Sequence, residues 1–240
     1  MEIREYGDPA AQIVILQPVD VRDFEMAEAE AAALREKTGK DIRLVAFGVE
    51  DWNRDLSPWE APPVFGKEGF GAGAEETLRE ILAYADRVEG TCYIGGYSLA
   101  GLFSLWAVTG TDRFAGVAAV SPSVWFPGFY DYLEEHPVTC GAVYLSLGDR
   151  EERTRNPVMA TVGDRIREIC SLLRREGVPC TLEWNEGNHF RDPDLRTVQG
   201  FARLLDCMKG AERMAAITEG LSPGDAAFVD RMCGYCDGLK

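Results

Sequence analysis

The sequence predicts an α/β domain, with a mostly parallel central sheet and helices on both faces. Three observations lead there. Runs of β-branched and apolar residues recur along the chain, such as IVIL, IRLVAFGV and AVYLSLG, with the continuous apolar character of strands buried on both sides. Between them lie segments of good helix formers long enough for a crossover, and strands joined by such crossovers pair in parallel. The chain has 240 residues, 46% of them hydrophobic, which suits one large domain and excludes wholesale disorder.

Taken in order, AQIVILQPV (11–19) is the first predicted strand, and RDFEMAEAEAAALREKTG follows as a helix stopped by Gly39. IRLVAFGV (42–49) is the next strand. Residues 50–72, with their prolines and tryptophans, form a long loop before the helix AEETLREILAYADRVEG. TCYIGGY (91–97) is a strand that runs into the helix AGLFSLWAVTG. GVAAVSPS and AVYLSLG are two further strands, and VGDRIREICSLLRREG is helical. CTLEWNEG (180–187) is the last strand, and DLRTVQGFARLLDCMKG the closing helix. No convincing strand hairpin precedes residue 11, and no inserted lid domain is visible. The expectation is a single domain over 1–240, with a core at about 11–208 and a helical tail over 209–240.

Charge and composition narrow the function. The net charge of −15 opposes non-specific nucleic-acid binding and docking on anionic membranes. No stretch is apolar enough to span a bilayer, and MEIREYGDPA lacks the apolar core of a signal peptide, so the expected location is cytoplasmic. The seven cysteines have irregular spacing, and most read as small buried hydrophobes. Cys233 and Cys236 form CGYC near the C-terminus, but no second CxxC completes a zinc site and no strand-to-helix context supports redox chemistry. The pair reads as structural or incidental.

The motif that carries chemistry is GGYSLAGLFSLW (95–106). In G-x-S-x-G the serine occupies a sharp turn between strand and helix, and the residues two before and two after must be small. Here they are Gly96 and Ala100, with Gly101 next, so Ser98 is the candidate nucleophile. Two β-α units precede its strand, which puts it at the centre of the sheet, at the carboxyl end where open α/β sheets hold their sites. A nucleophilic serine needs a base. Of the two histidines, His136 sits at a polar helix end, as a cap or in solvent, whereas His189 leaves the last predicted strand, as the order serine, acid, histidine requires. The acid should follow AVYLSLG, where Asp149, Glu151 and Glu152 compete. The spacing of a glycine, two residues and then the acid selects Glu151, with Asp149 the runner-up. Leu99 would supply one oxyanion-hole N–H. The other should come from the loop after IVIL, where Pro18 has no N–H, which makes Val19 the best candidate and Asp20 the next. Tyr97, Trp125, Phe126 and Trp52 are candidate substrate-binding rings, since their loops overhang the same sheet end.

GGYSLAGLFSLWA, SPSVWFPGF, LSLGDREE and EWNEGNHF together resemble the branch of the α/β-hydrolase superfamily that holds esterase D-like proteins and ferric-siderophore esterases. The resemblance covers roughly residues 11–208 and implies Ser98 as nucleophile and His189 as base. It leaves the acid open, because some siderophore esterases manage with a Ser-His pair. The lack of a strand hairpin before residue 11 and of a lid points to a minimal hydrolase with an open site. The expected function is carboxylic-ester hydrolysis through an acyl-enzyme, on a small-molecule ester, with no metal or organic cofactor. A thioesterase or acyltransferase would use the same residues. A catalytically silent hydrolase used for binding is the alternative of a different class, and a flavodoxin-like module is disfavoured by the lack of a phosphate loop.

Overall fold

A computed structural model describes residues 1–218 of the chain. Residues 219–240, and with them the CGYC motif and most of the expected tail, lie outside the described residues. The chain divides into two compact units, Met1–Leu204 and a C-terminal one from Leu205. The first contains the whole sheet.

The elements follow the predicted alternation. They are β1 (Glu2–Gly7), β2 (Ile13–Asp20), α1 (Phe24–Thr38), β3 (Ile42–Val49), the short α2 (Trp52–Asp55), α3 (Ala74–Ala85), β4 (Thr91–Tyr97) and α4 (Leu99–Gly110). β5 (Gly116–Val120), α5 (Phe129–Glu135), β6 (Ala142–Gly148), α6 (Val162–Arg175), β7 (Cys180–Asn185) and α7 (Pro193–Thr218) complete the described chain. The seven strands lie in the order β1-β3-β2-β4-β5-β6-β7. All neighbours pair in parallel except β1, which runs antiparallel to β3.

Strand alternation sorts the core into two layers. Val14, Leu16, Phe47, Ile94, Val117 and Leu145 face one way and pack with α3, α4 and α6. The alternate residues face α1 and α7. Helices therefore cover both faces, as expected, and among the described residues no inserted lid covers the carboxyl ends of the strands. β4 is the middle strand of the seven, which puts Ser98 at the centre.

Two expectations need correction. The first strand is not the one at 11–19, because a single strand, β1, precedes it, although no hairpin does. β1 is a charged edge with only Ile3 and Tyr6 half-buried, so it shows no apolar alternation, and its stability comes from backbone pairing with β3. Arg43 joins it to the body by bonding both Glu5 and the Tyr84 hydroxyl. The long loop over 50–72 also holds structure, because Asp51 caps α2 and Ala61 pairs with Phe70.

Close packing over β4 depends on small residues. A Cβ on Gly95 would lie 2.5 Å from the Ala118 carbonyl oxygen and 2.7 Å from the Phe201 ring of α7. Gly95→Ala should therefore cost about 1–3 kcal/mol in urea unfolding. Gly110→Ala, with nothing within 4 Å of the new methyl, should be neutral or slightly stabilising.

Candidate active site

Ser98 links β4 to α4 with φ 59 and ψ −121, a backbone that side chains rarely adopt. The turn survives because its surroundings hold it. Ser98 N–H donates to Val120 O at 3.0 Å, and Ser98 O accepts from Leu102 and Ser123 N–H, both at 3.1 Å. Its neighbours must be small. A Cβ at Gly96 would meet Ala100 Cβ at 2.7 Å, and one at Gly101 would meet Gly96 O at 2.9 Å.

The sequence-selected side chains converge here. His189 Nε2 lies 3.0 Å from Ser98 Oγ, and His189 Nδ1 lies 2.7 Å from Glu151 Oε2. Glu151 sits in a 3-10 turn just after β6 and its side chain is 4% exposed. Its other oxygen accepts from Gly148 N–H at 2.7 Å, Ser121 Oγ at 2.8 Å and Arg196 Nη1 at 3.2 Å. Burial pushes the Glu151 carboxyl up. The His189 bond and charge, the Gly148 N–H and the Ser121 hydroxyl outweigh that and leave it below the ordinary 4.5.

The competing acids are occupied elsewhere. Asp149 accepts from Gly187 N–H at 2.7 Å and so fastens the turn that leads to His189. Glu152 pairs with Arg167 at 3.2 Å. His136 ends α5, with Nδ1 2.8 Å from Tyr132 O and its ring stacked on Tyr132.

The oxyanion candidates separate. Leu99 opens α4, where an N–H has no partner within the helix. Val19 is turned the wrong way. Val21 N–H donates to Val49 O on β3, and the alternation of β2 puts the Val19 N–H on that same β3 side. The N–H on the β4 side belongs to Asp20. The β2–β4 ladder ends at Leu16 and Ile94, so the strands part beyond it, and by register Asp20 comes level with Ser98.

Two cavities flank Ser98, of about 300 and about 310 Å³. Trp52, His189 and Phe190 border both. One is walled by Phe65, Phe70, Trp125 and Met159, so Trp52 and Trp125 lie where the sequence placed them. Phe126 does not. It is buried against Trp59 and Phe70 and lines neither cavity, because its position just past Trp125 aims it into the core. Tyr97 lines the other cavity, but its hydroxyl donates to His189 O at 2.8 Å. Burial, foremost, raises the Tyr97 hydroxyl, which keeps it a donor.

Sequence reading missed Arg196. Its side chain is 4% exposed and bonds Glu151, Tyr97 and the Glu186 carbonyl. A signal existed, since an arginine stands directly beside the buried stripe Thr197, Phe201 and Leu204 of α7. It also missed Ser123, whose Oγ lies 3.3 Å from Ser98 Oγ.

No protein-family model matches the chain, and no curated protein matches it in sequence. Solved structures do match in shape. The siderophore hydrolase EstA from Aspergillus nidulans aligns with a TM-score of 0.63 at 20% identity, over 84% of this chain and 88% of that one. An IroE-like serine hydrolase from Shewanella oneidensis gives 0.65 at 16% identity, over 87% and 78%. The enterobactin esterase FES from Shigella flexneri gives 0.61 at 14% identity, over 86% and 55%. The shared shape is the α/β-hydrolase fold. No helix among the described residues is long and apolar enough to cross a membrane.

The Glu151 environment has a consequence for stability. Its carboxyl ionises at lower pH in the folded chain than in the unfolded one, so just below 4.5 the unfolded chain binds more protons. The resulting stabilisation is complete above 4.5 and is lost as pH falls through the lowered folded value. Thermal melts from about pH 7 to about pH 3 should show Glu151→Gln losing less stability over the acid limb than the wild type.

Proposed function

We propose that this chain is a serine hydrolase that cleaves carboxylic esters through an acyl-enzyme. The observation that carries the reading is the continuous contact from Ser98 Oγ through His189 to buried Glu151, at 3.0 and 2.7 Å, on a strained turn at the centre of the sheet. The structural neighbours include a siderophore hydrolase and an enterobactin esterase, which supports it.

An ionised Glu151 accepts from Nδ1–H, so the Nε2 lone pair faces Ser98. His189 takes the hydroxyl proton as Oγ attacks the ester carbonyl. The C=O π electrons move to oxygen, and the Leu99 and Asp20 N–H groups receive that oxyanion. As it collapses, the bond to the alkoxy oxygen breaks and the alcohol leaves with the proton from His189. Water repeats the sequence. It gives a proton to His189, attacks the acyl carbon and expels Ser98 Oγ, which recovers that proton. The Tyr97 hydroxyl on the His189 carbonyl and Glu151 on its ring restrain the histidine at both ends.

A fluorophosphonate probe should label the wild type and not Ser98→Ala. Hydrolysis of p-nitrophenyl butyrate should fall by about 10⁴-fold or more in Ser98→Ala and His189→Ala. Glu151→Gln should cost about 10²- to 10⁴-fold in kcat, and Asp149→Asn far less. An unlabelled wild type without Ser98-dependent turnover would mean a silent fold. A larger loss in Asp149→Asn than in Glu151→Gln would reassign the acid.

A further inference from the structure

The cavity that Tyr97 lines beside Ser98 differs in chemistry from its aromatic neighbour. Carboxylates of Asp20, Asp23, Glu30 and Asp194 line it, and no lysine or arginine does. Arg22 answers Asp20. Glu30 stands on the buried face of α1 between Ala27 and Leu34, and it is 6% exposed. Gln17 of β2, 5% exposed, donates its amide to Glu30 Oε2 at 2.7 Å. That leaves Gln17 Oε1 buried with no protein partner, and Asp194 Oδ1 is in the same condition.

Gln17 Oε1 and Asp194 Oδ1 are acceptors without a protein donor. A carboxyl, an amide oxygen and a second carboxyl line one cavity, and the Asp194 charge acts on Glu30. Burial pushes the Glu30 carboxyl up to about 8, the Gln17 amide opposing the rise and Asp194 adding to it. Glu30 is therefore mostly protonated near neutrality, and a positive charge beside it would ionise it and turn it from donor to acceptor. A primary ammonium has three N–H donors and no acceptor, which is the complement of this wall. The acidic chain as a whole attracts the same sign.

We propose that this cavity receives a primary ammonium group carried by the ester, held by Glu30, Gln17 Oε1 and Asp194. The proposal rests on the reading of Ser98 as an ester-cleaving nucleophile, because the cavity opens on that residue. It makes the enzyme selective for amine-bearing esters, with the uncharged remainder left to the aromatic cavity.

Isosteric ester pairs test it. p-Nitrophenyl 6-aminohexanoate against p-nitrophenyl heptanoate places the charge on the acyl side. 6-Aminohexyl acetate against heptyl acetate places it on the alkoxy side. The wild type should favour the ammonium member of one pair by about tenfold or more in kcat/KM. Glu30→Gln and Asp194→Asn should each move that ratio toward one, and a ratio cancels general losses from misfolding. No preference in either pair, or a preference that both variants keep, overturns the proposal. Calorimetry with 6-aminohexanamide and heptanamide on Ser98→Ala protein reads the cavity without chemistry. Tighter binding of the amine, lost when Glu30→Gln is added, supports it, and equal or absent binding overturns it. Selective amine binding with no turnover of any ester would sink the hydrolase reading and leave the ammonium site standing.

Discussion

The site depends on keeping one carboxylate ionised where water cannot reach it. A buried anion is costly unless every lone pair is used. Glu151 meets that condition with one oxygen on the His189 ring and the other on Gly148 N–H, the Ser121 hydroxyl and Arg196. The donors come from the ends of β5 and β6, the His189 loop and α7, so the carboxylate ties together elements distant in sequence. Arg196 is the buried countercharge, and its second nitrogen holds the Glu186 carbonyl at the root of the His189 loop. Removing one partner of such a pair leaves the other charged and unpaired, typically at a cost of about 3–5 kcal/mol. The same contacts thus set the histidine and stabilise the carboxyl end of the sheet.

The second constraint is steric. A serine at φ 59 persists only where surrounding contacts over-determine the backbone. Bonds from Ser98 to Val120, Leu102 and Ser123 do this, and the absence of side-chain bulk at Gly95, Gly96 and Gly101 lets α4, α7 and the Pro122 turn close around it. Ser121, the residue after β5, also has positive φ, at 42. Two of the three described non-glycine residues with positive φ therefore sit at adjacent strand ends, the third being Asp192, and both strand-end residues bond into the Ser98–His189–Glu151 group. The rest of the sheet is regular, which gives these two turns a rigid base.

Much of this was readable in the residues because local rules and the global fold agree. Each buried strand is a continuous apolar run, so β2 through β6 stood out, and small residues around Ser98 marked the turn. Glu151 was reached by spacing alone. What failed did so for identifiable reasons. β1 is an edge strand whose stability lies in backbone bonds and charged side chains, and such a segment has no hydrophobic period. Val19 was chosen by its distance from Pro18, whereas the direction of an N–H follows strand parity relative to β3, which needs the sheet order. Phe126 and Trp125 are adjacent, and sequence cannot tell which ring faces the cavity and which the core. Arg196 lies 45 and 99 residues from Glu151 and Tyr97, whose side chains it binds.

Electrostatics couple the nucleophile to the cavity walls. In the proposed reaction the oxyanion would form beside Asp20, Asp23, Glu30 and Asp194, and fixed negative charge there would oppose it through a medium that screens less well than water. Two features limit that opposition before substrate arrives. Arg22 neutralises Asp20, and the raised carboxyl of Glu30 keeps it largely uncharged near neutrality. A substrate ammonium keeps that balance, because its charge is matched by the proton that Glu30 gives up, and it supplies donors to Gln17 Oε1 and Asp194. A neutral ester supplies no donors and leaves the wall's acceptors unpaired. Discrimination of this kind comes from buried polar groups that one substrate satisfies and another does not, and it exceeds what an apolar pocket achieves by shape. The aromatic cavity can then be permissive, since the polar one carries the selection.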